Sequence, residues 1–256
     1  PLPFDIVENY DRYFASRLYD QRYPRPNPSC LALIVDEIRQ QGRRVLDFGC
    51  GNGRYTASLL ERTDAALVAY DISPEAIREL SQRQASHLES GRLQPVLGDL
   101  AALREAANSG ERFDLAIMMF GVLGHISPQT LRQEALTTIR NLLRPGGRLI
   151  VTVPNIRRRF LKEQTVAQRR GLEPGDIFYR RRANDRTIHM YYHLYTREEF
   201  QQELEQTGFH LVRLRAESVL PESGVVKSMP LRWLDRLLIP VTPLRYVYGF
   251  LAVAET

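Results

Sequence analysis

Along the chain, short apolar runs alternate with segments in which apolar residues recur at helical spacing. This pattern predicts strands that alternate with helices. Short, nearly continuous apolar runs are typical of strands buried on both faces of a parallel sheet. Apolar residues three and four positions apart, as in 129–143, are typical of amphipathic helices that cover such a sheet. The predicted strands are 44–48, 66–71, 93–99, 113–120, the run after Gly147, 209–216 and 246–254. We therefore predict an α/β fold, a three-layer α/β/α sandwich around a seven-stranded, mostly parallel sheet.

One segment, R-V-L-D-F-G-C-G-N-G at 44–53, joins the first strand to the next helix through a glycine-rich loop. Gly49, Gly51 and Gly53 permit a tight turn and a close approach of a ligand to the backbone. The N-terminus of the following helix offers free N–H groups to an anion. A dinucleotide-binding loop would read G-x-G-x-x-G, but Arg54 occupies the position of its third glycine. The spacing therefore disfavours an enzyme that uses a nicotinamide cofactor.

The motif D-x-G-C-G-x-G, from Asp47 to Gly53, resembles motif I of the class I S-adenosylmethionine (SAM)-dependent methyltransferases. The turn D-I-S-P-E-A at 71–76 and the turn L-R-P-G-G at 143–147 are similar to that family as well. The resemblance implies the sheet order 3-2-1-4-5-7-6 with one antiparallel strand, and SAM as the cofactor. It also implies methyl transfer by in-line displacement, in which the protein mainly positions the reactants.

Acidic residues at the ends of the second and third predicted strands are candidate contacts for the adenosine of SAM. Asp71 lies about twenty residues beyond the glycine loop, where an acid can accept both ribose hydroxyls. The resemblance implies that Asp99 binds the adenine amino group and that the Leu100 N–H binds the ring. A Gly-Asp pair at a strand end is also typical of a turn or helix cap. The predicted cofactor-binding residues are Asp47, Gly49, Cys50, Gly51, Gly53, Asp71, Ile72, Asp99, Leu100, Phe120, Tyr10 and Tyr19.

The N-terminal residues are rich in tyrosine and predict one or two short helices. The segment Y-D-R-Y-F-A-S-R-L-Y-D at 10–20 resembles a lid that folds over the cofactor in many methyltransferases. Tyr10 and Tyr19 would then contact SAM; a helix docked by its aromatic residues, without a ligand, is the alternative. Phe120, at the end of the fourth predicted strand, is an aromatic candidate for cation–π attraction to the sulfonium.

Histidines near the expected ligand edge are the candidate catalytic residues. His125, in the loop after the fourth strand, is a candidate general base or acceptor-orienting group, or else a loop cap. His189, Tyr191 and His193 share one face of a further predicted strand at 187–195, and His193 is the second catalytic candidate. Two histidines on this strand lack a third ligand, so we predict no metal site.

The net charge of +5 is concentrated in 157–186, which holds ten Arg or Lys and four Asp or Glu and so carries +6. In the resembling family, an insertion after the fifth strand covers the acceptor pocket. These arginines therefore fit an anionic small acceptor, or RNA with aromatic stacking on its bases. A solvated loop without a specific role is the third interpretation. The stretch Y-Y-H-L-Y at 191–195 also resembles tRNA wobble-uridine carboxymethyl methyltransferases.

We predict a SAM-dependent methyltransferase that acts on an oxygen or nitrogen atom of a small-molecule acceptor. The alternatives are a tRNA methyltransferase that uses the basic insertion, and a non-catalytic SAM-binding partner protein. A single domain is expected over 1–256. Its expected parts are a lid at 1–41, a SAM-binding core at 42–154, a basic cap at 155–195 and C-terminal elements at 196–256.

Two cysteines, Cys30 and Cys50, give no disulfide framework, and we expect a cytoplasmic protein. No apolar run reaches the roughly 18 residues that cross a bilayer, so no stable membrane insertion is expected. A predicted helix at 231–239 carries an apolar stripe that we expect in the core, with a partner-facing or membrane-facing patch as alternatives. The stripe consists of Trp233, Leu234, Leu237 and Leu238.

Overall fold

The computed structural model describes residues 2–107, 111–183 and 186–256, and only the backbone of Arg186. The strands are β1 (Arg44–Phe48), β2 (Ala66–Asp71), β3 (Leu93–Leu97), β4 (Phe113–Met118), β5 (Leu143–Pro154), β6 (Asp176–Ala183), β7 (Arg186–His193), β8 (His210–Ser218) and β9 (Gly249–Glu255). The helices are α1 (Ile6–Ala15), α2 (Leu18–Arg22), α3 (Pro28–Gln41), α4 (Arg54–Arg62), α5 (Pro74–Arg83), α6 (Ala85–Glu89), α7 (Leu100–Ala106), α8 (Val122–His125), α9 (Gln129–Leu142), α10 (Leu161–Arg169), α11 (Arg197–Gln206), α12 (Glu222–Val225) and α13 (Met229–Leu238).

The central sheet has seven strands in the order β3-β2-β1-β4-β5-β9-β8. Strands β1 to β5 pair in parallel, whereas β9 runs antiparallel to both β5 and β8. The predicted fold class and the order 3-2-1-4-5-7-6 are thereby confirmed, since β8 and β9 are the sixth and seventh predicted strands. The carboxyl ends of β1 to β4 meet at one edge, where ligands of open α/β sheets bind.

Alternate residues of the central strands enter two separate cores, which explains why these strands are continuous apolar runs. On β1, Leu46 belongs to the core on one face and Val45 to the core on the other. On β4, Ala116 and Ile117 divide in the same way. Helices α7, α9 and α11 cover the first face, and α3, α4 and α5 cover the second. The result is the predicted three-layer arrangement.

A second, two-stranded sheet lies in the basic segment, where β6 pairs antiparallel with β7. Strand β7 matches the strand predicted at 187–195, whereas β6 is not among the predicted strands. Ile177 is fully buried, while Arg180 and Arg182 are exposed, so β6 alternates in the usual manner of a strand. This part of the basic segment is therefore a hairpin and not a solvated loop. Residues 184 and 185 of the segment lie outside the described residues.

Helix α13 disagrees with the prediction that its apolar stripe packs in the core. Trp233, Leu234 and Leu237 are all exposed, and only Leu238 packs against the core. The residue that the helix buries is Asp235, whose carboxylate accepts backbone N–H groups from the loop that follows β8. Within the described ranges, no helix has the length and apolar character needed to cross a bilayer.

Candidate active site

A cavity of about 350 Å³ opens at the carboxyl edge of the sheet, within the size range of small-molecule sites. Its floor is formed by the loops after β1, β2 and β4, and its roof by α1, α2 and the β6–β7 hairpin. Every predicted cofactor-binding residue except Gly53 lines this cavity, and His125 lines it too. The predicted residues are therefore brought together at one place, while their binding roles stay predictions.

The glycine loop adopts backbone conformations that other residues rarely reach. Gly49 and Gly53 have φ values of +75° and +90°, and a Cβ atom on either would lie within 2.5 Å of Val122 or Leu80. The loop is also tied to β2, because the Gly51 N–H donates to Oδ2 of Asp71 at 2.8 Å. Gly53 lies just outside the cavity as the left-handed residue before α4. Both the dihedral angles and the close packing therefore require glycine at these positions.

Asp71 ends β2 at the cavity wall and is almost completely buried. In addition to the Gly51 N–H, its carboxylate accepts the Ser73 N–H at 3.0 Å through Oδ1. Burial raises the pKa of this carboxyl, while the backbone donors lower it. A carboxylate has about four acceptor positions, so each oxygen retains capacity for a ligand hydroxyl. The bidentate contact to a ribose stays a prediction, for which both oxygens are available.

Asp99 serves as a helix cap and also lines the cavity. Its Oδ1 accepts the N–H groups of Ala101 and Ala102, both at 3.0 Å, at the start of α7. The other oxygen, Oδ2, makes no hydrogen bond within the described part of the chain. Oδ1 of Asp99 therefore caps α7, and Oδ2 is available for the predicted contact with a ligand.

Asp47 is buried at the end of β1, where Oδ2 accepts a hydrogen bond of 2.6 Å from the Thr56 hydroxyl. Desolvation raises the pKa of Asp47 to about 7, although the Thr56 hydrogen bond opposes this shift. Cys50, in the same loop, is a free and buried cysteine whose thiol pKa is raised by burial. A thiol with a raised pKa is a poor nucleophile, so Cys50 acts as a small lining residue.

Aromatic residues of α1 and α2, together with Tyr23, line the cavity in the segment where a lid is predicted. Tyr19 meets Phe120 edge to face at a ring-centroid distance of 5.9 Å, and Tyr23 meets Phe120 at 4.4 Å. Phe120 has a φ of +65°, in the left-handed region that non-glycine residues seldom adopt. Such strain persists only where the surroundings enforce it and is common at functional sites. Tyr19 and Tyr23 therefore hold Phe120 in place at the cavity wall.

Arg54 is a cavity residue that stands out in the sequence only as a departure from the dinucleotide fingerprint. Its guanidinium lies 4.2 Å from the Phe120 ring centroid and pairs with Glu222 at 3.4 Å. The side chain is only 4% exposed, yet Nε and Nη2 have no hydrogen-bond partner in the described structure. A buried cation with unused donors is a candidate anion contact.

Another wall of the cavity combines aromatic rings with two further cations, Arg159 and Arg181. Arg159 lies over the rings of Tyr248 at 4.7 Å and Tyr192 at 5.4 Å, and its Nε is buried without a partner. Arg181 lies over the Tyr179 ring at 4.9 Å. Neither arginine is paired with an acid within the residues that the structure describes. The sequence indicates the basic segment but not which of its arginines point inward.

His125 is held in a defined tautomer. Its Nδ1 lies 2.9 Å from the carbonyl oxygen of Tyr191, which can only accept, so Nδ1 carries the hydrogen. The ring stacks on Tyr192 at 4.0 Å with an interplanar angle of 8°, and Tyr10 meets it edge-on. Burial lowers the pKa of His125 to about 4, so the imidazole is neutral and Nε2 is a hydrogen-bond acceptor.

His193 is not in the cavity, which corrects its prediction as a catalytic candidate. Its two ring nitrogens are bound to carboxylates, Nδ1 to Asp176 at 2.6 Å and Nε2 to Glu199 at 2.7 Å. These two acids raise the pKa of His193 against the opposing effect of burial. The face of β7 that carries His193 is turned away, and the opposite face places Met190 and Tyr192 in the cavity. The predicted alternation of side chains along β7 is therefore correct, but the face that lines the cavity is the one that carries Met190 and Tyr192.

Metal-ligating residues do not cluster here: the described residues contain no group of three or more His, Cys, Asp or Glu side chains arranged to hold a metal ion. The cations and carboxylates of the cavity are instead distributed singly among aromatic residues. This composition suits an organic ligand with separate polar groups.

Residues 17–214 match the family model described as a methyltransferase domain, and the chain therefore belongs to that family. The class I SAM-dependent methyltransferase predicted from the sequence is confirmed by this match and by the fold. The CcbJ methyltransferase from Streptomyces caelestis has a TM-score of 0.67 at 17% identity over 99% of both chains. A SAM-dependent methyltransferase from Methanosarcina mazei has a TM-score of 0.62 at 19% identity over 87% of this chain and 96% of that one. These two structures show the shared fold.

Among curated proteins, the chain is similar to the ubiquinone biosynthesis O-methyltransferase of Xanthomonas axonopodis pv. citri, with 33% identity over 151 residues. That match spans 55% of this chain and 57% of the relative. The protein of the same description from Xylella fastidiosa strain M23 is 34% identical over 173 residues, which are 60% of this chain and 65% of that protein. The chain thus matches between about half and two thirds of these relatives' length.

Proposed function

We propose that this protein transfers the methyl group of SAM to an oxygen atom of a small, planar acceptor that carries an anionic group. SAM supplies the methyl group as an activated sulfonium, so positioning is the main task of the protein. The observation that carries the acceptor assignment is Arg159, a cation with an unused buried donor in an aromatic wall of the cavity. The descriptions of the relatives as O-methyltransferases support oxygen as the acceptor atom.

The donor half of the cavity is the part built on the glycine loop. Its close-packed glycines leave the backbone accessible, and Asp71 and Asp99 each retain carboxylate acceptor capacity beyond their internal hydrogen bonds. These groups suit the two ends of an adenosine, the ribose hydroxyls and the adenine amino group. Arg54, with two unused donors beside the loop, suits the carboxylate of the methionine moiety.

The acceptor half is the part roofed by the β6–β7 hairpin. Phe160, Tyr179 and Tyr192 supply flat apolar surfaces that favour a planar acceptor. Arg159 and Arg181 supply the positive charge that an anionic substituent requires. Phe120, at the junction of the two halves, is positioned for cation–π contact with the sulfonium, worth about 0.5–2 kcal/mol.

His125 is the proposed proton acceptor. Because Nδ1 donates to the Tyr191 carbonyl, Nε2 presents a lone pair that a hydroxyl of the acceptor can reach. With a pKa of about 4, His125 leaves the hydroxyl protonated in the ground state. His125 would take this proton as the methyl group passes from sulfur to oxygen, a displacement that would form the C–O bond, break the C–S bond and leave S-adenosylhomocysteine. Such general-base assistance contributes typically about 10²–10⁴-fold in rate.

The experiment compares pairs of phenols that differ only in a carboxylate, using Arg159→Gln and the exposed neighbour variant Arg157→Gln as the matched control. Loss of a hydrogen-bonded charge pair worth about 1.5–3 kcal/mol raises KM for the carboxylated phenol by about 10- to 150-fold. The KM for the uncharged phenol and the affinity for SAM are expected to stay unchanged. Equal effects on both phenols, or an effect of Arg157→Gln of the same size, would refute the assignment.

A tRNA acceptor is the second candidate, favoured by the arginines of the basic segment that face solvent. The exposed ones are Arg157, Arg158, Arg169, Arg170, Arg180 and Arg182. For RNA, Arg157→Gln and not Arg159→Gln should weaken binding and reduce its dependence on salt. Turnover with carboxylated phenols but not with tRNA would decide for the small acceptor. SAM binding without turnover of either the phenols or tRNA would favour a non-catalytic protein.

A further inference from the structure

Helix α13 has an inverted arrangement of polar and apolar residues. Met229, Trp233 and Leu237 follow one another at every fourth position and are 65%, 60% and 68% exposed. Asp235, on the opposite side, is only 1% exposed. A surface helix of a globular protein normally turns its apolar stripe to the core and its charges to water. Here the apolar stripe faces outward.

The carboxylate of Asp235 holds the helix in this orientation. Its Oδ1 accepts the N–H groups of Val219 and Leu220, both at 2.8 Å. Rotating α13 to bury Trp233 would break both hydrogen bonds and leave the buried Val219 N–H and the half-buried Leu220 N–H without partners, which is costly. The outward stripe is therefore a stable feature of the fold.

The exposed apolar residues are concentrated in this segment. Of the twelve exposed large hydrophobic residues in the described chain, seven fall between 229 and 246. Single exposed apolar residues are normal, whereas a contiguous group marks an interaction surface. The seven are Met229, Leu231, Trp233, Leu234, Leu237, Val241 and Tyr246.

The charged residues that flank this apolar group in the sequence are positive, apart from one buried acid. Residues 227–248 contain Lys227, Arg232, Arg236 and Arg245, and their one acid is the buried Asp235. None of the four cations forms an ion pair within the described ranges. Arg236 lies 5.9 Å from the Trp233 ring and Arg245 lies 4.6 Å from the Tyr246 ring. Aromatic and basic residues in this combination are typical anchors at a lipid–water interface.

The charge distribution favours one occupant over the others. A second copy of the chain packed by two-fold symmetry would bring the same four cations against each other. An anionic lipid surface attracts them instead, by about 1 kcal/mol per cation, or about fivefold in the binding constant for each. The inserted apolar residues would then lie among acyl chains while the arginine side chains extend to the headgroups.

We propose that residues 229–246 form a membrane-contact surface, with α13 lying in the plane of an anionic phospholipid bilayer. The contact is peripheral, because a helix of ten residues is about 15 Å long, half the thickness of a bilayer core. Helix α12 links this surface to the cavity, because Gly224 lies close to Leu231 and Glu222 pairs with the cavity residue Arg54 at 3.4 Å.

The chain provides its own probe, because Trp233 is its only tryptophan. Vesicles of phosphatidylcholine alone are compared with vesicles that also contain phosphatidylglycerol, each with and without brominated acyl chains. We expect the Trp233 emission to shift to the blue and to be quenched by brominated lipid only with the anionic vesicles. Co-sedimentation measures the binding constant under the same conditions.

Leu237→Glu is the test variant, and Leu161→Glu on α10 is the control, because Leu161 is similarly exposed at 60%. Leu237→Glu should weaken vesicle binding at least about tenfold, through loss of one inserted leucine. Arg236→Gln should weaken it by about fivefold at low salt. Leu161→Glu should bind like the wild type, and all three variants should keep the wild-type thermal midpoint.

Two results would overturn the proposal. The first is Trp233 emission that stays at the wavelength of a water-exposed indole with every vesicle composition. The second is a blue shift that appears without vesicles and grows with protein concentration, which would assign the surface to self-association.

Discussion

Replacing Asp71 with asparagine removes one negative charge at the proposed ribose site and leaves the side-chain shape unchanged. If the carboxylate accepts both ribose hydroxyls, the variant loses two charge-assisted hydrogen bonds. At about 1.5 kcal/mol each, these amount to about 3 kcal/mol, or roughly 150-fold in the dissociation constant for SAM. The variant should also be less stable, since an amide cannot accept both the Gly51 N–H and the Ser73 N–H. The expected loss of folding free energy is about 1–3 kcal/mol.

Calorimetric titration with S-adenosylhomocysteine measures the affinity, and Asp64→Asn is the control because Asp64 is an exposed acid remote from the cavity. Repeating the titration with a 2′-deoxy analogue separates direct contact from loop damage. If Asp71 binds the hydroxyl, the variant should lose less affinity for the deoxy analogue than for the natural ligand. A folded Asp71→Asn protein with wild-type affinity, or an equal loss for both ligands, would refute the ribose assignment.

Three further predictions concern the titratable residues. His125→Asn keeps a donor for the Tyr191 carbonyl and removes the Nε2 acceptor, so kcat should fall about 10²–10⁴-fold while the affinity for SAM is unchanged. An unchanged kcat would exclude His125 as the general base. His193→Gln should lower the thermal midpoint without changing kcat. Because the folded pKa of His193 is raised, its stabilising effect is complete below about pH 6.5 and is lost as pH rises through the folded value, so the variant should differ most from wild type at low pH. Asp47 has a folded pKa of about 7, so in the ligand-free protein it contributes stability that is complete below about pH 4 and lost as pH rises through 7. The unfolding free energy of Asp47→Asn should therefore fall less between pH 5 and 8 than that of the wild type. If the unfolding free energies of both proteins changed equally with pH, the raised pKa of Asp47 would be contradicted.

The donor half of the cavity could be predicted from the sequence because it depends on local chemistry. Gly49 and Gly53 are needed for their own backbone angles, and Asp71 and Asp99 follow predicted strands in a fixed order. Parallel strands then bring these residues to one edge without any further information. Short-range patterns and topology are therefore sufficient for this half.

The acceptor half depends on contacts between distant residues. Period two divides β7 into two faces, but the inward face is decided by Asp176 and Glu199, which bind His193 on the outer side. The burial of Arg54 depends on Glu222, which is 168 residues away in the sequence. None of these three acids is identifiable as a partner from a local pattern.

The orientation of α13 shows the same limit. An apolar stripe at helical spacing normally predicts core packing, and this prediction is wrong here. The reason is Asp235, whose hydrogen bonds to the N–H groups of Val219 and Leu220 turn the stripe outward. The sequence shows the stripe and the acid, but not the unpaired N–H groups that make burial of the acid favourable.

A crystal structure with bound S-adenosylhomocysteine tests the central claim most directly. We expect its ribose hydroxyls on the carboxylate of Asp71, its adenine beside Asp99 and its sulfur facing the half of the cavity that contains His125 and Arg159. Clear density for this molecule in another part of the protein, with the glycine loop left empty, would contradict the account.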